Sequence, residues 1–300
     1  MRKFFPCFLS AVWLVVSISI IASGQEIPTT PGPFITWTAP LCGKGTLSLQ
    51  PFIFSRNYEK QFLSDGNLTD FSDSAKKSQI NPQLFVQYGL LPHLEIDATL
   101  DYQLNYYQSD SGWASSSGFG DLPLLLRYCP LDETGYYPHI TAMLGVVLPT
   151  GKFENADPQK YGTDLTGKGS LDYSFGINLS KYLSPFYLHL DYILSWPQKT
   201  TVDGQNIQYG NYHNLDFGLE YVLTKNFNAL VEVNFYRQES TRDNPESYSQ
   251  KLGLGVGYSQ EEYQLLLGYL IDLSGKNIEQ ERTLAATLVY SFQIKSKRLS

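Results

Sequence analysis

Beyond Gly24 the chain has no apolar run approaching the roughly twenty residues that a membrane-crossing helix needs, which excludes a helical membrane bundle. Charge is sparse at 17% Asp, Glu, Lys and Arg, with a net value of -7, and apart from Lys295, Lys297 and Arg298 the Lys and Arg residues are dispersed. Nucleic acid is therefore not expected as a partner. Methionine is nearly absent, with 2 residues against 22 Tyr and 17 Phe, a balance that favours strands and interfacial aromatic belts. Cysteine is also scarce, and beyond Gly24 only Cys42 and Cys129 occur. In an oxidising compartment they form a candidate disulfide pair, the alternative being two buried free thiols. No spacing of cysteine and histidine has the pattern of a zinc site, so no metal and no cofactor is predicted.

What is present begins with an export signal. Met1-Arg2-Lys3, an apolar stretch from Phe4 to Ile21 and the small residues Ala22-Ser23-Gly24 have the order of a secretory signal peptide, predicted over 1–24. No cysteine stands at the cleavage site, so no lipid anchor is expected. Residues 25–44 are rich in Pro and Thr, and Pro28, Pro31, Pro33 and Pro40 forbid a regular ladder. This stretch reads as a periplasmic segment or a plug, with Phe34, Ile35 and Trp37 as its apolar anchors. Residues 45–294 carry the strands, and 295–300 are a short tail.

The clearest strand runs from His93 to Tyr106. Leu94, Ile96, Ala98, Leu100, Tyr102, Leu104 and Tyr106 alternate with Glu95, Asp97, Thr99, Asp101, Gln103 and Asn105. Side chains of a strand point to opposite faces with period two, so one face is apolar and the other carries three carboxylates. The same rhythm recurs about twelve times, with short turns alternating with long polar loops predicted at 59–77, 108–117, 153–168, 197–213, 238–246 and 274–282. An apolar-out, polar-in strand of about ten residues is what a tilted crossing of lipid requires, and bacterial outer-membrane barrels have even strand numbers and unequal loops. The fold class predicted is all-β, a transmembrane antiparallel up-and-down barrel of about twelve strands. Apolar-face aromatics support it: Tyr88, Tyr128, Phe186, Tyr221, Phe227, Tyr258, Tyr263 and Phe292 fall at the short-turn ends, and Tyr106, Trp196 and Phe235 at the long-loop ends. A soluble β-sandwich also alternates, but does not require aromatics at both ends of the apolar face.

In a barrel the inward positions decide function. Glu95, Asp97 and Asp101 face the lumen, and antiparallel register brings Arg127 level with the first two. Asp191, Asp216, Glu220 and Glu232 fall on neighbouring strands with few cations nearby, a candidate selectivity patch for cations. Inward Gly253, Gly255, Gly257 and Gly268 leave one wall bare, and part of residues 25–43, with Phe34 and Trp37, is the available filler. A hydrolase needs Ser, His and a carboxylate within hydrogen-bond reach, whereas His189, Asp191 and Ser195 form a row along one strand and no nucleophile elbow occurs. No catalytic residue is assigned. A barrel hydrolase and a structural or adhesin barrel stay open as alternatives.

Four short marks stand in order along the chain: Phe34 to Ala39 followed by Gly43-Lys44-Gly45, then Gly118-Phe119-Gly120-Asp121, then Leu148-Pro149-Thr150-Gly151, and then Lys168-Gly169-Ser170-Leu171-Asp172. In this order and spacing the chain resembles the family of Gram-negative outer-membrane barrels named for the meta-pathway of phenol degradation. The resemblance spans most of the mature chain. It implies a bacterial outer-membrane location and a pore for small, aromatic or apolar molecules. Expected partners are outer-membrane lipid, a small-molecule solute and the barrel assembly machinery, with the oligomeric state left open.

Overall fold

Strict alternation over long stretches leaves each strand one face that only lipid or a core accepts, and in a computed structural model of the protein those faces point outward together. The structure describes residues 29–294; the signal peptide expected at 1–24 and the tail at 295–300 lie outside the described residues. The strands are β1 Thr46–Phe62, β2 Leu68–Asp70, β3 Lys76–Leu91, β4 Leu94–Ser109, β5 Gly112–Phe119, β6 Leu122–Leu131, β7 His139–Leu148 and β8 Asp172–Leu183. They continue as β9 Phe186–Pro197, β10 Thr200–Val202, β11 Gln205–Ile207, β12 Tyr212–Val222, β13 Phe227–Gln238, β14 Ser247–Ser259, β15 Tyr263–Lys276 and β16 Ile278–Gln293. β5 and β6 make one stave, broken at Gly120 and Asp121, and pair successive parts of β4. The result is a barrel of twelve antiparallel staves, closed where β16 pairs with β1 from Thr46↔Gln293 to Phe62↔Ile278. Closure leaves no sheet edge exposed, as lipid demands.

The exterior is apolar. Leu144, Val256 and Leu284 are about 60% exposed, a surface that water would not tolerate at this extent and that bilayer hydrocarbon covers. At the short-turn end Phe186–Tyr221, Phe227–Tyr258 and Tyr290–Phe292 meet with ring centroids 4.9–5.7 Å apart, forming an interfacial girdle. These features place the barrel in the outer membrane.

Three of the predicted long loops contain strand, two of them almost throughout. Residues 59–77 include the end of β1, β2 and the start of β3, while 108–117 contain most of β5, separated from β4 by Asp110 and Ser111 alone. The stretch 274–282 has just Asn277, at φ 50°, between β15 and β16. Strands of 16–17 residues exceed the ~9–11 needed to cross lipid, so their outer ends stand in water. Both faces are solvated there, and the alternation that marks a strand disappears while its ladder continues.

Candidate functional site

The lumen is built around residues 29–44. This segment enters from the short-turn end, where the N–H of Gly45 donates to the carbonyl of Gly89 at 2.7 Å. The contact requires glycine: a Cβ at Gly89 would lie 1.7 Å from the Gly43 carbonyl oxygen. Residues 29–43 join no sheet, so their N–H groups need partners within the barrel. Inward carboxylates supply five of them. Glu95 accepts from Cys42 N at 2.6 Å, Asp191 from Trp37 N at 2.6 Å, and Glu232 from Phe34, Ile35 and Thr36 N at 3.1–3.2 Å. Several such bonds on one segment hold it firmly.

Side chains complete the fit. Phe34 packs with Phe54, Leu230, Leu266, Leu270 and Ala285. Its ring occupies the space a side chain at residue 268 would need, since a Cβ at Gly268 would come within 2.3 Å of it. Trp37 meets Phe85 edge to face at 5.4 Å and lies beneath Arg127, whose guanidinium carbon is 5.3 Å from the ring centroid. Arg127, itself buried, bonds Glu95 at 2.9 Å, pairs with Asp97 at 3.6 Å and donates to the Thr38 carbonyl.

The predicted lumen residues divide accordingly. Glu95 and Asp97 flank Arg127, but Asp101 stands apart, bonded to Asn81, Gln83 and Gln103. Asp191, Glu220 and Glu232 are fully buried. Glu220 accepts from Thr30 Oγ1, from Asn228 and, at 2.9 Å, lies against His189 Nε2. Asp216 pairs in register with Asp191 and lines a cavity of about 460 Å³ with Lys251, Asp272 and Glu281. The disulfide expectation for Cys42 and Cys129 is corrected: both thiols are free. Each points at a different partner, Cys42 Sγ at the Thr46 carbonyl and Cys129 Sγ at His139.

Register also assembles a group that the sequence analysis missed. Ser180 Oγ lies 2.8 Å from His189 Nδ1, and His189 Nε2 lies 2.9 Å from Glu220 Oε1. The order matches a hydrolase triad, but Ser180 is wholly buried and its Oγ accepts the Ala39 N–H at 2.8 Å. A nucleophile capped by the lumen segment presents nothing to a substrate, and we read the row as part of that segment's docking surface. The residues come from β8, β9 and β12, so spacing within one strand could not reveal it.

A family model described as "Putative MetA-pathway of phenol degradation" matches residues 61–288. The chain belongs to this family. Among solved structures it is similar to an outer membrane channel from Pseudomonas putida F1, at 15% identity and a TM-score of 0.70, covering 89% of this chain and 100% of that one. It is also similar to the beta domain of the Bordetella autotransporter BrkA, at 9% identity and a TM-score of 0.50, covering 83% and 100%. No curated protein matches the chain. At these identities the structural matches speak for the barrel fold.

Three of the four marks that carry the family resemblance meet at the outer mouth, the first lying in the lumen segment. Asp121 accepts from Gly151 N at 3.0 Å and Lys168 N at 2.8 Å, while Thr150 and Thr166 donate to the carbonyls of Gly120 and Phe119. Gly151 and Gly167 touch so closely that a Cβ at either would overlap the other's backbone. The 149–171 loop is thereby folded against the wall, with Gln103 and Asn105 donating to Thr166 and Thr163. Burial lowers the Lys168 ammonium pKa, opposed by Asp172 at 3.1 Å. Asp121→Ala removes two N–H acceptors at once and is expected to free this loop, giving faster trypsin cleavage after Lys152, Lys160 or Lys168 in the folded barrel. Cleavage at the wild-type rate would show that Asp121 does not hold it.

Proposed function

We propose that the protein is an outer-membrane channel for passive uptake of small aromatic or apolar molecules, with residues 29–44 as a plug. The observation that carries this reading is the way the segment is bound. It is docked through N–H groups onto carboxylates of a wall that is complete without it, so its release leaves the barrel closed against lipid. The space at the plug admits a small ring: a cavity of about 170 Å³ is walled by Phe34, Trp37, Phe52 and Phe85 and also by Gln50, Gln83, Gln87, Thr99 and Arg127. A cavity of about 150 Å³ is large enough for one benzene ring, and here polar groups face it as well. On the outer side, a cavity of about 750 Å³ walled by Asp101, Gln103, Asp121 and Lys168 forms a polar vestibule. Asp216, Asp272 and Glu281 outnumber Lys251 around the deeper cavity, which favours cations there. Insertion by the barrel assembly machinery belongs to the same reading.

The test is swelling of liposomes that contain the folded full-length barrel, with sugars, amino acids, organic acids and aromatic solutes compared at matched mass. Faster swelling with small aromatic solutes than with sugars is expected. Permeability to none of them, with the barrel folded, would reject a channel and favour a structural or adhesin role.

A further inference from the structure

Outside the lumen, four metal-ligating side chains from three segments converge at the periplasmic rim. His93 stands in the turn between β3 and β4, Cys129 near the end of β6, Asp132 just beyond it, and His139 at the start of β7. Both hairpins slip register there, between Gly89 and Leu91 and between Tyr128 and Leu131, and such bulges re-aim side chains at strand ends. A bond of 3.0 Å from Cys129 N to the His93 carbonyl fixes the two segments together.

Three of the donors cluster as in a coordination shell, and His139 adjoins two of them. Cys129 Sγ is 3.0 Å from His139 Nε2 and 3.5 Å from Asp132 Oδ1; His139 Nε2 is 3.8 Å from Asp132 Oδ1, and His93 Nδ1 is 3.7 Å from Asp132 Oδ2. The donor atoms of His93, Cys129 and Asp132 all lie within 4.8 Å of one another. Bonds of about 2.0–2.3 Å in a tetrahedron put donors roughly 3.3–3.6 Å apart. His93 and Asp132 are more than half exposed and free to adjust, whereas Cys129 and His139 are held by the wall. The positive charge of Arg127, two residues inward, is met by Glu95 and Asp97.

We propose that His93, Cys129, Asp132 and His139 bind one zinc ion that clamps the β3–β4 turn to the β6–β7 connection. One thiolate, two imidazoles and a carboxylate select zinc over magnesium or calcium, and four protein donors make a closed, structural site. The clamp stands beside the entry of the lumen segment, since His93 is two residues from Glu95, which holds Cys42.

The experiment titrates the full-length folded barrel in detergent with cobalt(II), then displaces it with zinc. One equivalent is expected, with a thiolate-to-cobalt charge-transfer band and the visible bands of a tetrahedral ion. Cys129→Ser should abolish the charge-transfer band, His139→Ala and Asp132→Asn should weaken zinc binding at least about tenfold, and Cys42→Ser should leave both intact. Heat-modifiable mobility on gels reports folding of each variant, and Asp132→Asn, at an exposed position, carries the test if Cys129→Ser does not fold. Absence of the band in the wild type, its survival in Cys129→Ser, its loss in Cys42→Ser, or unchanged zinc affinity in Asp132→Asn would each overturn the site.

Discussion

Deletion of residues 29–41, with residues 1–28 and the Gly43-Lys44-Gly45 entry retained, is expected to raise single-channel conductance in planar bilayers by roughly fivefold or more. The number of staves sets the scale. Side chains fill an eight-stranded barrel and a sixteen-stranded one holds an aqueous channel, so at twelve the occupant decides. Here the occupant is the segment carrying Phe34 and Trp37, and its removal replaces apolar filler with water. It also unmasks Glu95, Asp191 and Glu232, which lose their N–H partners, so the opened lumen should prefer cations more strongly than the wild type. Folding is checked by heat-modifiable mobility. Conductance equal to the wild type in a folded barrel would sink the plug reading.

Arg127→Ala is expected to have the largest effect on stability, about 3–5 kcal/mol in urea unfolding. The side chain is 1% exposed and stands between two fully buried carboxyl groups, so removing it leaves Glu95 and Asp97 buried without their cation. It also takes away the donor to the Thr38 carbonyl and the cation over the Trp37 ring, so the lumen segment loosens in the same variant. Adding Glu95→Gln and Asp97→Asn removes the stranded charge and should recover most of the loss. A loss below about 1 kcal/mol for Arg127→Ala, the range of an exposed pair, would contradict the buried clamp.

The strand from His93 to Tyr106 shows how much of the fold was legible. Its alternation marks which residues face lipid, and β4 runs from Leu94 to Ser109 with Ile96 and Leu100 outward. The same signal failed at 59–77, 108–117 and 274–282, because strands in water on both faces have no apolar side to display. The pairing of Glu95 with Arg127 was legible because it needs only the register of one neighbouring hairpin. The partners of Glu232 were not, since they lie 196–198 residues away on a segment that joins no ladder.

The carboxylates read as a cation patch illustrate the remaining division. Composition and period-two alternation alone determined that the chain closes as an outer-membrane barrel with acids turned inward, because contact with lipid is written residue by residue along each strand. Only the tertiary structure decided what those acids do: Asp191 and Glu232 receive backbone N–H groups, Glu220 holds His189, and Asp121 binds a loop. The same holds for His93, Cys129, Asp132 and His139, which no sequence spacing joins. A strand's periodicity carries the direction of a side chain but not its partner, and across a lumen the partner is set by closure of the barrel and by what enters it.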